Sequence, residues 1–291
     1  DHMLCFKQNS IHDLLIRNAP FPLFPLFRNV GAIGKHAIVT VDGLAYFITP
    51  RGRMKATDGT KIYDFPDTID TTWDALNQSR LLYIQGIYNQ RLHQIWWFCS
   101  NGTSTTNNYC IVWDIRREAW LRHTSGATMN IATKTQAGTV YGGNYAGVIY
   151  QFDVADTYTD ASVASPSAIN AYWRTGWIDF ESMLNSKTIP YVDTNVKSRT
   201  VGTYEFGWGF NFSPDRKIKT LSQQDVGGLY GSAMYGSSVY GLGSDLTRFA
   251  FLKGTGKYVQ FFIRNRVAAE GFSFNGFELP VQYNAPAALK L

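Results

Sequence analysis

The first half of the chain consists of short runs with a period of two, separated by residues that favour turns. Residues 36–41 run into Asp42-Gly43, a strong hairpin signal, and residues 44–48 return along the hairpin. Similar groups recur at 86–122 and 128–152, at a spacing of roughly 45 residues, and each ends in an aromatic-rich strand. This pattern is typical of β-propeller blades, which must stack because one blade cannot bury both of its faces.

The repeated pattern changes twice, which predicts two domains in an all-β chain. Residues 1–153 form propeller blades, three to four in number, and because residue 1 already lies in a strand pattern we expect a longer N-terminal region that holds the remaining blades. Residues 154–170 are small, polar and aperiodic, as in a linker or crossing segment. Residues 171–291 contain longer alternating strands and predict an antiparallel β-sandwich-like domain.

A Tyr- and Gly-rich segment at 227–244 interrupts the second domain. It places Tyr230, Tyr235 and Tyr240 at regular spacing among Gly and Ser residues. One interpretation is a long adaptable loop. The functional interpretation is a surface that contacts another subunit, because Tyr supplies contact area at low entropic cost.

Composition excludes several classes of protein. Apolar residues make up 45% of the chain, which is enough for a core and argues against disorder. No apolar run approaches the length of a transmembrane helix, and no signal peptide is visible. Cys99 and Cys110 could face each other across a hairpin, but we expect two buried thiols rather than a disulfide.

The sequence contains no recognisable catalytic or metal-binding motif. The five His residues are dispersed, without the spacing of metal ligands, and no nucleotide-binding loop or nucleophile elbow occurs. Four aspartates cluster around Pro66, but turns and helix caps account for them. We therefore predict no catalytic, cofactor-binding or metal-binding residues, and a protein that is not an enzyme.

Basic residues alternate at two of the predicted blade turns. One group is Arg51, Arg53 and Lys55, and the other includes Arg116 and Arg117. Such residues could line a rim or channel and contact DNA phosphates. They could equally be solvated charges that keep strand edges from pairing.

Several segments together resemble the tail nozzle, or packaged-DNA stabilisation, proteins of short-tailed bacteriophages. These segments are residues 4–11, 28–34, 42–52, 87–91, 111–120 and 173–180. The resemblance implies a virion protein of the tail, assembled in the host cytoplasm, in which six copies surround a channel for double-stranded DNA. Such a ring retains the packaged genome, permits its ejection and contacts other tail and adaptor proteins, with no cofactor and no membrane.

Two other functions remain open. A propeller of this kind could bind or degrade carbohydrate, as in a tail spike or a lectin, with exposed Trp and Tyr side chains stacked on sugars. It could also be a cellular scaffold, although the blades lack a regular signature.

Overall fold

The computed structural model describes residues 2–16, 19–66, 68–124, 128–154, 159–162, 165–198, 202–222, 246–267 and 272–284. Strands hold 53% of the chain and helices 6%, which confirms the all-β class. Within the described ranges, no helix is long and apolar enough to cross a membrane. The chain divides into two compact units, Asp1–Ala155 and Asp156–Leu291.

The first unit contains four antiparallel sheets, each made of strands that are consecutive in sequence. The first sheet comprises β1 (His2–Phe6), β2 (Ser10–Leu15) and β3 (Leu23–Arg28). The second comprises β4 (Ile38–Val41), β5 (Leu44–Ile48), β6 (Met54–Thr57) and β7 (Ile62–Asp64). The third comprises β8 (Gln85–Asn89), β9 (Gln94–Cys99), β10 (Tyr109–Asp114) and β11 (Ala119–His123). The fourth comprises β12 (Met129–Lys134), β13 (Val140–Asn144) and β14 (Ile149–Gln151).

The middle sheets are buried on both faces because their strands are apolar at every position. In β9, Ile95 and Trp97 pack towards the second sheet, while Trp96 and Phe98 pack towards the fourth. All six residues of β9 and all six of β10 are buried. Successive side chains of a strand point to opposite faces, so these strands need a neighbouring sheet on each side.

Three apolar clusters join the four sheets in chain order. The first contains Ile11 and Phe47 and lies between the first and second sheets. The second contains Tyr46, Ile48, Trp97 and Trp113 and lies between the second and third sheets. The third, with Trp96, Phe98 and Met129, lies between the third and fourth sheets. This stacking of meander sheets confirms the predicted propeller blades.

Close approach of the backbone fixes the seam between β4 and β8. A Cβ atom at Gly86 would lie 2.6 Å from Cγ2 of Val39 and 2.9 Å from Nε1 of Trp97. The indole Nε1 of Trp97 donates a hydrogen bond to the carbonyl oxygen of Ala37, at 3.3 Å. Glycine is therefore required at position 86 for packing between the two sheets.

Short helices connect the second and third sheets. A 3₁₀-helix (Lys35–Ala37) precedes β4, the α-helix α1 (Asp70–Asp74) follows β7, and a second 3₁₀-helix (Gln78–Tyr83) precedes β8. The helix α1 buries Trp73 against Trp120, with ring centroids 5.6 Å apart.

Cys99 and Cys110 are free thiols that occupy opposite faces of the third sheet. In the register, Cys99 pairs with Tyr109 and Cys110 with Phe98, so the two thiols do not face each other. Burial raises the pKa of Cys99 to about 12 and also raises that of Cys110. The expectation of two buried thiols is met.

The second unit is built from three antiparallel sheets and one hairpin. The hairpin pairs β15 (Thr159–Ser162) with β16 (Ser165–Ala168), inside the segment 154–170 that the sequence suggested as a linker. In the following lists, the strands of each sheet stand in hydrogen-bonded order. One sheet has the order β17 (Ala171–Arg174), β24 (Val259–Asn265), β20 (Thr203–Phe210), β21 (Lys217–Ser222). Another has the order β22 (Leu246–Phe251), β19 (Tyr191–Ser198), β25 (Phe272–Glu278). The last has the order β23 (Thr255–Gly256), β18 (Ser186–Thr188), β26 (Gln282–Asn284).

The core of the second unit lies between its two larger sheets. Phe206 and Phe261, from adjacent strands of the four-stranded sheet, pack with Val192 and Val196 of β19. All four side chains are at most 1% exposed. Two antiparallel sheets that share one apolar layer form a sandwich, as predicted.

The first prediction concerns the seam between the second and third sheets. Trp97 is fully buried, so Trp97→Ala should lower the free energy of unfolding by about 3–5 kcal/mol, through lost burial and the cavity left behind. Denaturant unfolding followed by circular dichroism measures the change. Leu82→Ala is the control, because Leu82 is 55% exposed and its truncation should change stability by less than about 0.5 kcal/mol. Equal effects of the two substitutions would contradict the assigned core.

Candidate functional site

Three of the five basic residues predicted to contact DNA form ion pairs within the first unit. Arg53 lies 3.0 Å from Asp70 and 2.8 Å from Asp74, both in α1. Lys55 pairs with Asp64 of the neighbouring strand. Two of the clustered aspartates therefore hold an arginine, and a third holds a lysine.

Arg117 has a more demanding partner, because the carboxylate of Asp114 is fully buried. Arg117 donates to Asp114 from its backbone nitrogen at 3.0 Å and from Nη1 at 2.8 Å. Gln94 Nε2 donates to the same carboxylate at 3.1 Å. Burial raises the pKa of Asp114, but the hydrogen bonds from Gln94 and Arg117 outweigh that effect and the pKa is lowered. Arg117 thus supports the turn after β10.

Arg51 and Arg116 are exposed, but the structure does not bring the two basic groups together. Arg51 lies in the turn between the second and third strands of its sheet, and Arg116 lies between the third and fourth strands of the next. Such turns alternate between the two ends of an antiparallel meander, so the groups lie at opposite ends of their blades. Contact with DNA by these five residues stays a prediction. Tyr230, Tyr235 and Tyr240 lie outside the described residues.

Two carboxylates meet across the strands of the second unit. Asp193 in β19 is the register partner of Glu278 in β25. Burial and the charge of Glu278 raise the pKa of Asp193, whose Oδ1 makes no hydrogen bond in the described part of the chain. Like charges directly opposite each other destabilise a sheet. Sequence reasoning missed this pair because the residues are far apart in the chain.

A cavity of about 420 Å³ opens beside β20 and β24. Glu205 lies at its wall and pairs with Arg264 and, at 2.9 Å, with Arg266. Burial raises the pKa of Glu205, but these two arginines outweigh it and lower the pKa. One carboxylate against two guanidinium groups leaves a single positive charge, which suits one small anion.

An aromatic cluster lies at the turn between β20 and β21. The ring of Phe212 sits 4.8 Å from that of Trp177 and 4.8 Å from that of Tyr258, centroid to centroid. Phe212 is 60% exposed. The guanidinium carbon of Arg216 lies 5.0 Å from the centre of the Trp177 ring. We call Trp177, Phe212 and Tyr258 the aromatic platform. Its members come from three separate segments, so no local sequence motif marks it.

Among the described residues, His, Cys, Asp and Glu side chains form no group of three or more that could hold a metal ion.

Comparison with known proteins gives neighbours in structure only. No family model matches the chain, and neither does any curated protein. One similar solved structure is an exo-β-1,3-galactanase from Phanerochaete chrysosporium with galactose, at a TM-score of 0.29 and 8% identity. Another is a glycoside hydrolase family 43 arabinoxylan arabinofuranohydrolase from Bacillus subtilis with cellotetraose, at a TM-score of 0.26 and 12% identity. Each match covers 94% of this chain and 75% of the other.

These neighbours correct one prediction made from the sequence. They are glycoside hydrolases with a β-propeller fold, so the prediction that this chain is not an enzyme is contradicted and is withdrawn. Their names agree with the alternative of a glycan-degrading propeller and not with the tail nozzle. At these TM-scores the likeness says nothing of this chain's substrate or reaction.

A second prediction follows from the paired carboxylates. Glu278→Gln removes the repulsion, so the free energy of unfolding at pH 7 should rise by about 0.5 kcal/mol, the size of a cross-strand pair effect. Because the pKa of Asp193 is raised in the folded state, the penalty is present above that pKa and disappears as the pH falls through it. Denaturant unfolding at several pH values tests this.

The control for this comparison is Glu181→Gln, which removes the same charge from an exposed position. It should leave the pH dependence of stability unchanged. A stability gain for Glu278→Gln that persists unchanged at pH 3 would contradict the assigned repulsion.

Proposed function

We propose that this chain is a structural β-propeller subunit that packs against further copies of itself through the two end faces of its blade row. The observation that carries the proposal is the exposure of apolar side chains on the outer faces of the first and fourth sheets. Their inner faces join apolar clusters, whereas no cluster of the described residues covers the outer ones. A blade with one bare apolar face needs a neighbour.

The end face of the first sheet follows from its register. Leu4 and Phe6 pack towards the second sheet, so Met3 points the opposite way. Met3, Leu14 and Leu23 are cross-strand partners and therefore lie in one row on that outer face. Met3 is 49% exposed and Leu23 is 43% exposed.

The end face of the fourth sheet is similar. Met129 and Val140 pack towards the third sheet, whereas Ile131, Gly143 and Ile149 form a row on the other side. Ile131 is 58% exposed and Ile149 is 75% exposed. A ring joined head to tail would place this row against the row of Met3 in the next copy, as in a heterologous interface that closes.

The more specific form of the proposal is a tail nozzle protein that surrounds the DNA channel of a short-tailed phage and acts with other tail and adaptor proteins. The sequence resemblance supports it, and so does a chain whose aromatic cores make rigid blades. Arg51 and Arg116, both exposed, are the basic residues of the predicted set that have charge free of the ion pairs described above.

The third prediction tests assembly. The full chain should form rings that are visible by negative-stain electron microscopy, and six-fold density around an axis would support the nozzle. Ile149→Lys should break the rings into smaller species in light scattering, because it buries a charge in an apolar contact. Leu82→Lys, at an exposed site outside both end faces, should leave the rings intact. A monomeric wild type, or rings of Ile149→Lys, would overturn the proposal.

The second candidate is a propeller that binds or degrades a glycan, and the exposed aromatic platform favours it. Incubation of the full chain with a panel of polysaccharides, followed by assays for binding and for new reducing ends, separates the two forms. Retention without cleavage indicates a lectin-like protein, and new reducing ends indicate hydrolysis. Neither result with any polysaccharide would reject this candidate.

A further inference from the structure

The turn that carries Phe212 has an unusual residue for its backbone conformation. Phe210 and Ser213 close the turn with a 3.0 Å hydrogen bond from the Ser213 nitrogen to the Phe210 carbonyl oxygen. Asn211 has φ +51° and Phe212 has φ +60°. Tight hairpin turns with positive φ at both central positions favour Asn followed by Gly. Asn211 fits this rule, and Phe212 stands where glycine would be unstrained.

The side chain of Phe212 gains little from the protein interior in exchange for this strain. Its ring is 60% exposed, so most of its apolar surface stays in water. A large side chain that strains the backbone and remains exposed is unfavourable for folding on two counts. Backbone strain of this kind concentrates at functional sites.

The turn is nevertheless held firmly in place. The backbone nitrogen of Asn211 donates to the carbonyl oxygen of Tyr258 at 2.9 Å. Asn211 Oδ1 accepts from the backbone nitrogens of Lys257 at 2.7 Å and of Tyr258 at 3.3 Å. Phe212 is therefore fixed between Trp177 and Tyr258, with both interplanar angles at 47°. A fixed surface loses little entropy when it binds.

Polar groups surround the platform. Arg216 donates from Nη2 to Gln260 Oε1 at 2.9 Å, and from Nη1 to the Ser213 carbonyl oxygen. Gln260 Nε2 donates in turn to the Thr175 carbonyl oxygen at 2.8 Å. These bonds orient the guanidinium group, which has five N–H donors, and leave others for a ligand. Asp215 follows the same turn, three residues after Phe212.

This combination fits a sugar ring. One face of a pyranose presents C–H groups, which suit the negative face of an aromatic ring, and its edge presents hydroxyl groups for Arg and carboxylate partners. Asp179 and Asp215 stand two and three residues from platform members, and their charges would repel the phosphates of a nucleic acid. A glycan, which offers hydroxyl donors to those carboxylates, is favoured over a nucleic acid.

We propose that Trp177, Phe212 and Tyr258 bind one pyranose ring of a glycan, with Arg216 and Asp215 hydrogen-bonded to its hydroxyl groups. The inference deepens the glycan-binding candidate and is independent of assembly through the end faces. A chain that binds glycans but forms no rings would keep this site and reject the assembly, and the reverse result would do the opposite.

The decisive variant is Phe212→Gly, because it separates a functional role from a structural one. The full chain is screened on a printed array of neutral and acidic oligosaccharides, and the strongest binder is then used in calorimetry. Phe212→Gly removes the stacking ring and relieves the turn, so affinity should fall at least tenfold while the melting temperature stays the same or rises. Trp177→Ala should weaken binding by a similar factor.

Phe251→Ala is the matched control, since Phe251 is an exposed aromatic residue of the same unit outside the platform. It should leave affinity unchanged, and Phe212→Tyr should retain binding because it keeps the ring. A wild type that binds no oligosaccharide on the array would overturn the proposal. Unchanged affinity in Phe212→Gly would also overturn it, as would tighter binding of a single-stranded DNA oligonucleotide that competes with the glycan at the platform.

Discussion

The first unit depends on one constraint, which is that its central sheets are apolar on both faces. A sheet of this kind cannot lie on a single core, because half of its side chains would face water. The strands of the third sheet place Trp97 and Trp96 on opposite sides, and each ring is buried by a different neighbour. Stacked blades follow from this arrangement, and so does the need to cover the two faces at the ends of the row.

The blades could be predicted because their signals are local. The Asp42-Gly43 hairpin and the alternation around it specify strand pairing within a few residues, and the four sheets follow. The strand β3 escaped because Pro20, Pro22 and Pro25 make its segment read as irregular, although an edge strand tolerates proline. The hairpin of β15 and β16 escaped for a similar reason, since its residues are small and polar.

The candidate sites could not be predicted, because each depends on residues that are distant in sequence. Sequence alone shows Arg53 as a free charge, whereas the fold places α1 carboxylates beside it. The pairing of Asp193 with Glu278 depends on a strand register that no local pattern specifies. The aromatic platform needs three segments of the second unit to meet, and its strained turn is visible only in the backbone angles.

The two buried thiols of the third sheet give the molecule a built-in reporter. Thiol reagents attack the thiolate, and burial keeps Cys99 and Cys110 protonated and out of reach. Their positions on opposite faces mean that each becomes reactive only when the sheet separates from a different neighbour. The rates at which the two sulfurs acquire a label therefore measure, one seam at a time, how often the stack of blades comes apart.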